Sequence, residues 1–207
     1  MKVFFEKSNI QELLKRHKGN LRLNVGCGTD YKAGWVNIDN NSDDNIEKLD
    51  LNWDLRNPLP FPDNSVDYIF NEHFIEHLTV EEGQKSAKDF MRVLKPGGVM
   101  RIATPDLRDA VDLYNDPNWK ERPLIAKFGL QFIQTPAELM NMSFSWWGHK
   151  WIYDYEELAR RLGEAGCQNL SQQKLRQSSH KDLRDLEIRD ESTLIVEALC
   201  ANMAETP

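Results

Sequence analysis

Apolar positions recur along the chain in two alternating rhythms. Short runs at Leu21 to Val25, Trp35 to Ile38, Glu47 to Leu51, Val66 to Asn71 and Val99 to Ala103 predict five strands. Helical spacing at Ile10, Leu13 and Leu14, and again at Ala87, Phe90, Met91 and Leu94, predicts helices among them. Ser8 with Gln11 reads as a capping box opening the first helix, which ends at Gly19, and Pro96-Gly97-Gly98 stops the second. Three prolines, Pro58, Pro60 and Pro62, forbid a helix or central strand before the fourth strand. A second capping box, Asp154 with Glu157, opens a helix whose face Tyr155, Leu158, Ala159 and Leu162 ends at Gly166. Leu170 to Leu175 and Thr193 to Leu199 are then closing strands. Alternating strand and helix predict a doubly wound α/β sheet in a single domain over residues 1–207.

The alternation fails in two places. Thr29 to Gly34 is too short for a crossover helix, so the first two strands are joined by a turn or a single helical turn. From about 116 to 150 the chain instead carries Trp119, Phe128, Phe132, Phe144, Trp146 and Trp147, with Trp151 just beyond. A long insertion in a compact domain is usually functional. These aromatics equally suit the core of a small helical subdomain or a subunit contact, and the chain alone leaves that choice open.

Composition narrows the class. The formal net charge of −7 argues against nucleic acid as a partner, because such binders neutralise phosphates with clustered cations. The one basic cluster, Lys15, Arg16, Lys18 and Arg22, reads as the solvated end of a helix. Three unspaced cysteines, Cys27, Cys167 and Cys200, suit reduced thiols and no zinc cluster. With no apolar run long enough to span a membrane and no signal-peptide core, the expectation is a soluble, cytoplasmic protein with no membrane partner.

Candidate chemistry gathers where the first strand ends in Gly26-Cys27-Gly28 and the second ends in Asp39. Glycines at a strand's carboxyl end let a ligand approach the backbone, and an acid there can grip ribose hydroxyls. A dinucleotide site wants a third glycine and an acid about 20 residues on. Here the third place is Tyr31, and Asp39 comes thirteen residues after Gly26. An uncharged sulfonium cofactor needs no pyrophosphate cradle, so two glycines and an early acid suffice for it; a nucleotide-dependent oxidoreductase is the weaker alternative.

Asn24-Val-Gly-Cys-Gly-Thr, Asp39, Leu59-Pro-Phe-Pro-Asp-Asn-Ser-Val-Asp-Tyr, Glu76-His77-Leu78 and Arg92-Val-Leu-Lys-Pro-Gly-Gly occur in that order. Together they resemble class I S-adenosylmethionine-dependent methyltransferases of the small-molecule type related to ubiquinone and menaquinone biosynthesis, over roughly residues 20 to 105. The resemblance implies a Rossmann-like sheet of seven strands in the order 3-2-1-4-5-7-6, the seventh antiparallel, with the Trp-rich segment as a helical insertion. It implies S-adenosylmethionine as cofactor, with Gly26, Cys27 and Gly28 against its methionine and ribose portions. Asp39 and its neighbour Asn40 would serve the ribose, Asp54 and Leu55 the adenine, and the backbone of Asn71 and Glu72 the methionine end. His77 and Lys95 would fasten the fold. Two positions depart from the family: Asn24 replaces the acid common two residues before the first glycine, and Asp30 replaces the third glycine.

Methyl transfer chiefly requires alignment of acceptor and methyl, and a base only where the acceptor must lose a proton. His73, just after the fourth strand, and His149, among the aromatics, are the candidate catalytic residues. His73-Phe-Ile-Glu76-His77 spells a zinc-peptidase pattern, but it straddles a strand end instead of a long helix, so no metal is expected. The expected function is methyl transfer to an oxygen or nitrogen of a small molecule held by residues 106 to 151, in a monomer or homodimer. The alternative is a non-catalytic module of the same fold that binds a partner through its aromatic insertion.

Overall fold

Where apolar residues alternate with polar ones along a strand, the two sets face opposite sides of the sheet. In this computed structural model, which describes residues 10–41 and 45–200, seven strands lie in the order β3-β2-β1-β4-β5-β7-β6. They are β1 (Arg22–Val25), β2 (Val36–Asp39), β3 (Leu51–Asn52), β4 (Val66–Glu72), β5 (Leu94–Thr104), β6 (Cys167–Gln172) and β7 (Leu194–Cys200). Strands β1 to β5 pair in parallel, whereas β7 runs antiparallel to β5 and β6. Order and strand direction are those the family resemblance implies.

One face carries Leu23, Val25, Val36, Ile38, Ile69, Met100 and Ile102. Three helices bury it: α1 (residues 10–16), α2 (Val80–Val93) and α6 (Tyr155–Glu164). The Ser8 half of the expected first capping box lies outside the described residues. Helix α2 starts on a reciprocal box the sequence reading did not single out, in which Glu82 N donates to Thr79 Oγ1 at 3.2 Å and Thr79 N to Glu82 Oε2 at 2.8 Å. At α6 the Asp154 side chain accepts from Glu157 N at 2.9 Å, as its spacing predicts.

The opposite face is covered differently. Register aligns Asn37, Asn24, Phe70, Arg101 and Glu197 in one row across five strands. Over it lies the irregular chain from Gln173 to Thr193, which contributes Leu175, Leu183 and Leu186 to a second core with Trp35, Phe70, Val99, Ala103 and Ile195. Backbone without a helix or sheet of its own must find other hydrogen-bond partners when buried, and the polar row supplies them. Arg101 donates to the Gln177 and Lys174 carbonyls at 2.9 and 3.3 Å and pairs with Glu187 and Glu197.

Three boundaries differ from the expected ones. The third strand begins at Leu51, not Glu47, because the Asp50 carboxylate accepts from Asn37 N at 2.9 Å and brings the chain into register only there. The sixth strand spans Cys167–Gln172, not Leu170 to Leu175; it is a polar edge with a register shift between Gln168 and Ser171. Helix α2 ends at Val93, and Lys95-Pro96-Gly97-Gly98 runs on as the start of β5 beside an irregularity between Val66 and Tyr68, where a proline is tolerated.

The aromatic insertion is helical, as expected, with α4 (Pro123–Lys127) and α5 (Pro136–Ser145), and α3 (Leu107–Asn115) leads into it. They enclose a core of Leu113, Trp119, Ile125, Leu130, Ile133, Leu139 and Met142. Trp119 is thus packing, whereas Phe128, Phe132, Phe144, Trp146, Trp147 and Trp151 remain exposed.

Candidate functional site

A cleft of about 1110 Å³ opens at the carboxyl ends of β1, β2 and β4 and runs beneath the helical insertion. At one end the chain leaves β1 through Gly26 and Gly28, both at positive φ (+69° and +51°). A Cβ on Gly26 would lie 2.7 Å from two atoms of the Phe74 side chain, whereas one on Gly28 would meet nothing within 4 Å. Gly26→Ala should therefore cost roughly 2 to 4 kcal/mol, combining left-handed strain with overpacking, and Gly28→Ala only about 1 to 2, from strain alone. Thermal melts of the two variants would show the difference.

The turn after Gly28 contains no helix and is held by asparagines. Asn24 Nδ2 donates to the Asp30 carbonyl at 2.8 Å and to Asn37 Oδ1 at 2.9 Å. Asn37 in turn accepts from Lys32 N at 2.8 Å and donates to the Lys32 and Trp35 carbonyls. A carboxylate at position 24 could not donate these bonds, so the short crossover and the departure from the family acid belong to one arrangement. Asn37 was missed in the sequence; its signal was a polar residue between apolar Val36 and Ile38.

Asp39 closes β2 with its carboxylate fixed by two amides, Gly28 N at 2.7 Å and Asn40 N at 2.6 Å. Asp54 is paired with Arg56, whose hydrogen bond holds the Asp54 carboxyl below its usual range. Glu72 turns its carboxylate to a distant segment, accepting from Ile188 N, Arg189 N and Ser192 Oγ at 3.1, 3.2 and 2.6 Å. Residues 188 to 191 thereby become a wall of the cleft, one that no local pattern announces. Lys127 of the insertion pairs with Asp190 and Glu191 of that wall.

Of the residues singled out in the sequence, Asn24, Gly26, Cys27, Gly28, Asp39, Asn40, Asp54, Leu55, Glu72, His73 and His149 all border this cleft. Asn71 does not: it is fully buried, and neither side-chain Nδ2 nor Oδ1 has a hydrogen-bond partner. Lys95 fastens the fold as expected, its Nζ 2.7 Å from the Asp67 carboxylate. His77 goes beyond fastening, since it borders the cleft and meets His149 edge to face with ring centroids 5.1 Å apart. Burial pushes the Cys27 thiol up to about 12, with Asp39 adding to the effect, and burial pushes Cys167 to about 12 as well. At pH 8 only about one in 10,000 of either would be thiolate. Both should resist a thiol reagent in the native protein and react on unfolding, which peptide mapping would show.

A Rossmann-like sheet whose glycine turn and strand-end acid open on one cleft defines a nucleoside-cofactor fold. Residues 27–102 match the family described as a methyltransferase domain (Methyltransf_11). An S-adenosylmethionine-dependent methyltransferase from Mycolicibacterium smegmatis is 33% identical over 110 residues, covering 46% of this chain and 42% of that protein. The chain thus spans less than half the length of this curated relative. Among solved structures, an S-adenosylmethionine-dependent methyltransferase from Archaeoglobus fulgidus aligns over 94% of this chain and 93% of that one, with TM-score 0.52 and 17% identity. One from Thermotoga maritima aligns over 93% and 87%, with TM-score 0.54 and 15% identity. The match to the methyltransferase-domain family thus lies in residues 27–102, the sheet has the fold of the solved methyltransferases, and S-adenosylmethionine is the cofactor of the relatives matched.

Proposed function

We propose that the protein transfers a methyl group from S-adenosylmethionine to an oxygen or nitrogen of a small molecule. The observation that carries this reading is the continuity of the cleft. It runs from the glycine turn and Asp39 to a wall built by the insertion, where Leu113, Leu139, Met142, Trp147 and His149 face it. The residues present suit the cofactor. Gly26, Cys27 and Gly28 offer backbone to its methionine and ribose, Asp39 and Asn40 border the sugar's place, and Leu55 with Asp54 borders the adenine's. Bound there, S-adenosylmethionine supplies an electrophilic methyl carbon. The chain's task is to align an acceptor with that carbon and keep water out, which the apolar insertion wall favours. His73 and His149 border the space where an acceptor proton would leave, and either can take it.

The test is release of S-adenosylhomocysteine from S-adenosylmethionine when panels of small phenols, amines and hydroxy acids are supplied. Acceptor-dependent release supports the reading, and cofactor binding without release from any panel would count against it.

A second reading rests on the exposed aromatics. Trp147 is 58% and Phe132 54% exposed, and the Phe132 and Trp146 rings stack with centroids 6.0 Å apart. Such a patch also suits a protein partner, in a non-catalytic module. Cofactor binding with no turnover on any panel would favour this second reading, whereas turnover that falls in a Trp146→Ser/Trp147→Ser double variant would count against it. Among the described residues no helix is long and apolar enough to cross a membrane.

A further inference from the structure

Two histidines of the cleft wall, His77 and His149, meet the fully buried Glu76 just behind it. Glu76 and His77 lie in a 3-10 turn (Ile75–His77) after β4, and His149 follows α5. Backbone N–H groups of Lys150 and Trp151 donate to the Glu76 carbonyl at 2.7 and 3.2 Å, pinning the two segments together. One ligand atom from each of Glu76, His77 and His149 lies within 4.8 Å of the other two.

Three features set this corner apart from an ordinary buried histidine pair. The Glu76 carboxylate is fully buried; Thr104 Oγ1 donates to its Oε2 at 3.0 Å, but Oε1 makes no hydrogen bond. His73 Nδ1 lies 3.2 Å from Oε1, too poorly aligned to satisfy it. A buried carboxylate oxygen whose one close neighbour is this misaligned ring nitrogen is incompletely satisfied, which is costly. His149 Nδ1 sits 2.8 Å from the Ser143 carbonyl, which accepts a proton held there and leaves Nε2 with a free lone pair. The His77 and His149 rings meet edge to face with centroids 5.1 Å apart, so their ring nitrogens share one corner.

We propose that Glu76, His77 and His149 form a binding site for one divalent transition-metal ion of the zinc class, with a coordination position left open toward the cleft. Two imidazoles and one carboxylate suit zinc, iron or cobalt, whereas magnesium and calcium prefer oxygen alone. Three protein ligands with a vacant fourth position are the arrangement of catalytic, not structural, zinc. Ligand atoms around a tetrahedral ion with bonds of about 2.1 Å lie about 3.4 Å apart, so the three groups draw together by about 1 Å as the ion enters. The set is not that of the zinc-peptidase pattern: His73 stands behind Glu76 as its orienting neighbour, and His149 supplies the third ligand instead. On the proposed methyltransferase reading, an acceptor hydroxyl at the open position would lose its proton more readily, with His73 left as the base because a ligated His149 cannot take it. The site itself does not depend on that reading.

The experiment uses untagged, chelator-treated full-length protein titrated with Co²⁺, read by visible ligand-field absorption and by equilibrium dialysis against Zn²⁺. One tightly bound Co²⁺ per chain, displaced by Zn²⁺, is the expected result. Glu76→Gln and His149→Gln should each weaken binding at least 100-fold, and His73→Gln by 10- to 100-fold. Thermal melts check that each variant folds. His149 is partly exposed, so its variant carries the test should Glu76→Gln unfold. No bound Co²⁺, or one that survives His149→Gln unweakened, overturns the site. S-adenosylhomocysteine calorimetry on the same preparation separates the two claims: cofactor binding without cobalt removes the metal site alone, and cobalt without cofactor binding removes the methyltransferase reading alone.

Discussion

Replacement of Asp39 by alanine is expected to weaken S-adenosylhomocysteine binding on the order of 10²- to 10⁴-fold, measured by calorimetry. A carboxylate gripping two ribose hydroxyls makes two charge-assisted hydrogen bonds, each worth about 1.5 to 3 kcal/mol, and each 1.4 kcal/mol is tenfold in affinity. The structure prepares that grip before any ligand arrives. Gly28 N and Asn40 N already hold the two carboxylate oxygens, at 2.7 and 2.6 Å, so little rotamer freedom is left to lose on binding. Asp39→Asn keeps one acceptor oxygen but sets an amide where a backbone N–H must donate. It should fall between the wild type and alanine.

Arg101→Met should be the most damaging single change to stability. Arg101 is fully buried, with Nε 2.5 Å from Glu187 and Nη1 2.6 Å from Glu197, and removing it strands two buried carboxylates and two carbonyls. Breaking a buried ion pair costs about 3 to 5 kcal/mol. For a chain of this size that lowers the melting temperature by roughly 6 to 20 °C. The triple variant Arg101→Met/Glu187→Gln/Glu197→Gln should recover much of that loss, since it removes the uncompensated charge. The damage should reach the cleft, because Glu187 leads directly into the wall at 188 to 191.

These two predictions differ in how visible their residues were beforehand. Asp39 ends an apolar run after a glycine turn, a local pattern. Arg101 sits in the apolar stretch Val99 to Ala103, where nothing nearby betrays its partners, which lie 86 and 96 residues away. The same contrast runs through the fold. Strands β1, β2, β4 and β7 showed as short apolar runs because the sheet is covered on both faces, and helices α2 and α6 showed in apolar spacing because each buries one face against it. Strand β6 escaped because an edge strand need not be apolar, and β3 because its register is set by Asp50 on Asn37. The second face is held by a polar row that becomes a row only once register aligns five strands.

Within the site, the glycine turn and His73 were legible as residue types next to strand ends, and His149 as a histidine among aromatics. Phe74 against Gly26 and the wall closed by Glu72 were not, because they depend on contacts between distant segments. The side chain of Asn71 is fully buried in the sheet and off the cleft wall, so only its backbone could serve the methionine end that the resemblance implies.

A crystal structure with S-adenosylhomocysteine tests the central claim most directly. The adenosyl group should lie over Gly26 to Gly28, with both ribose hydroxyls about 2.6 to 3.0 Å from Asp39. The homocysteine sulfur should point toward the insertion wall near His149. A ligand lodged away from the β1 turn, or a cleft that stays empty at saturating ligand, would contradict the account.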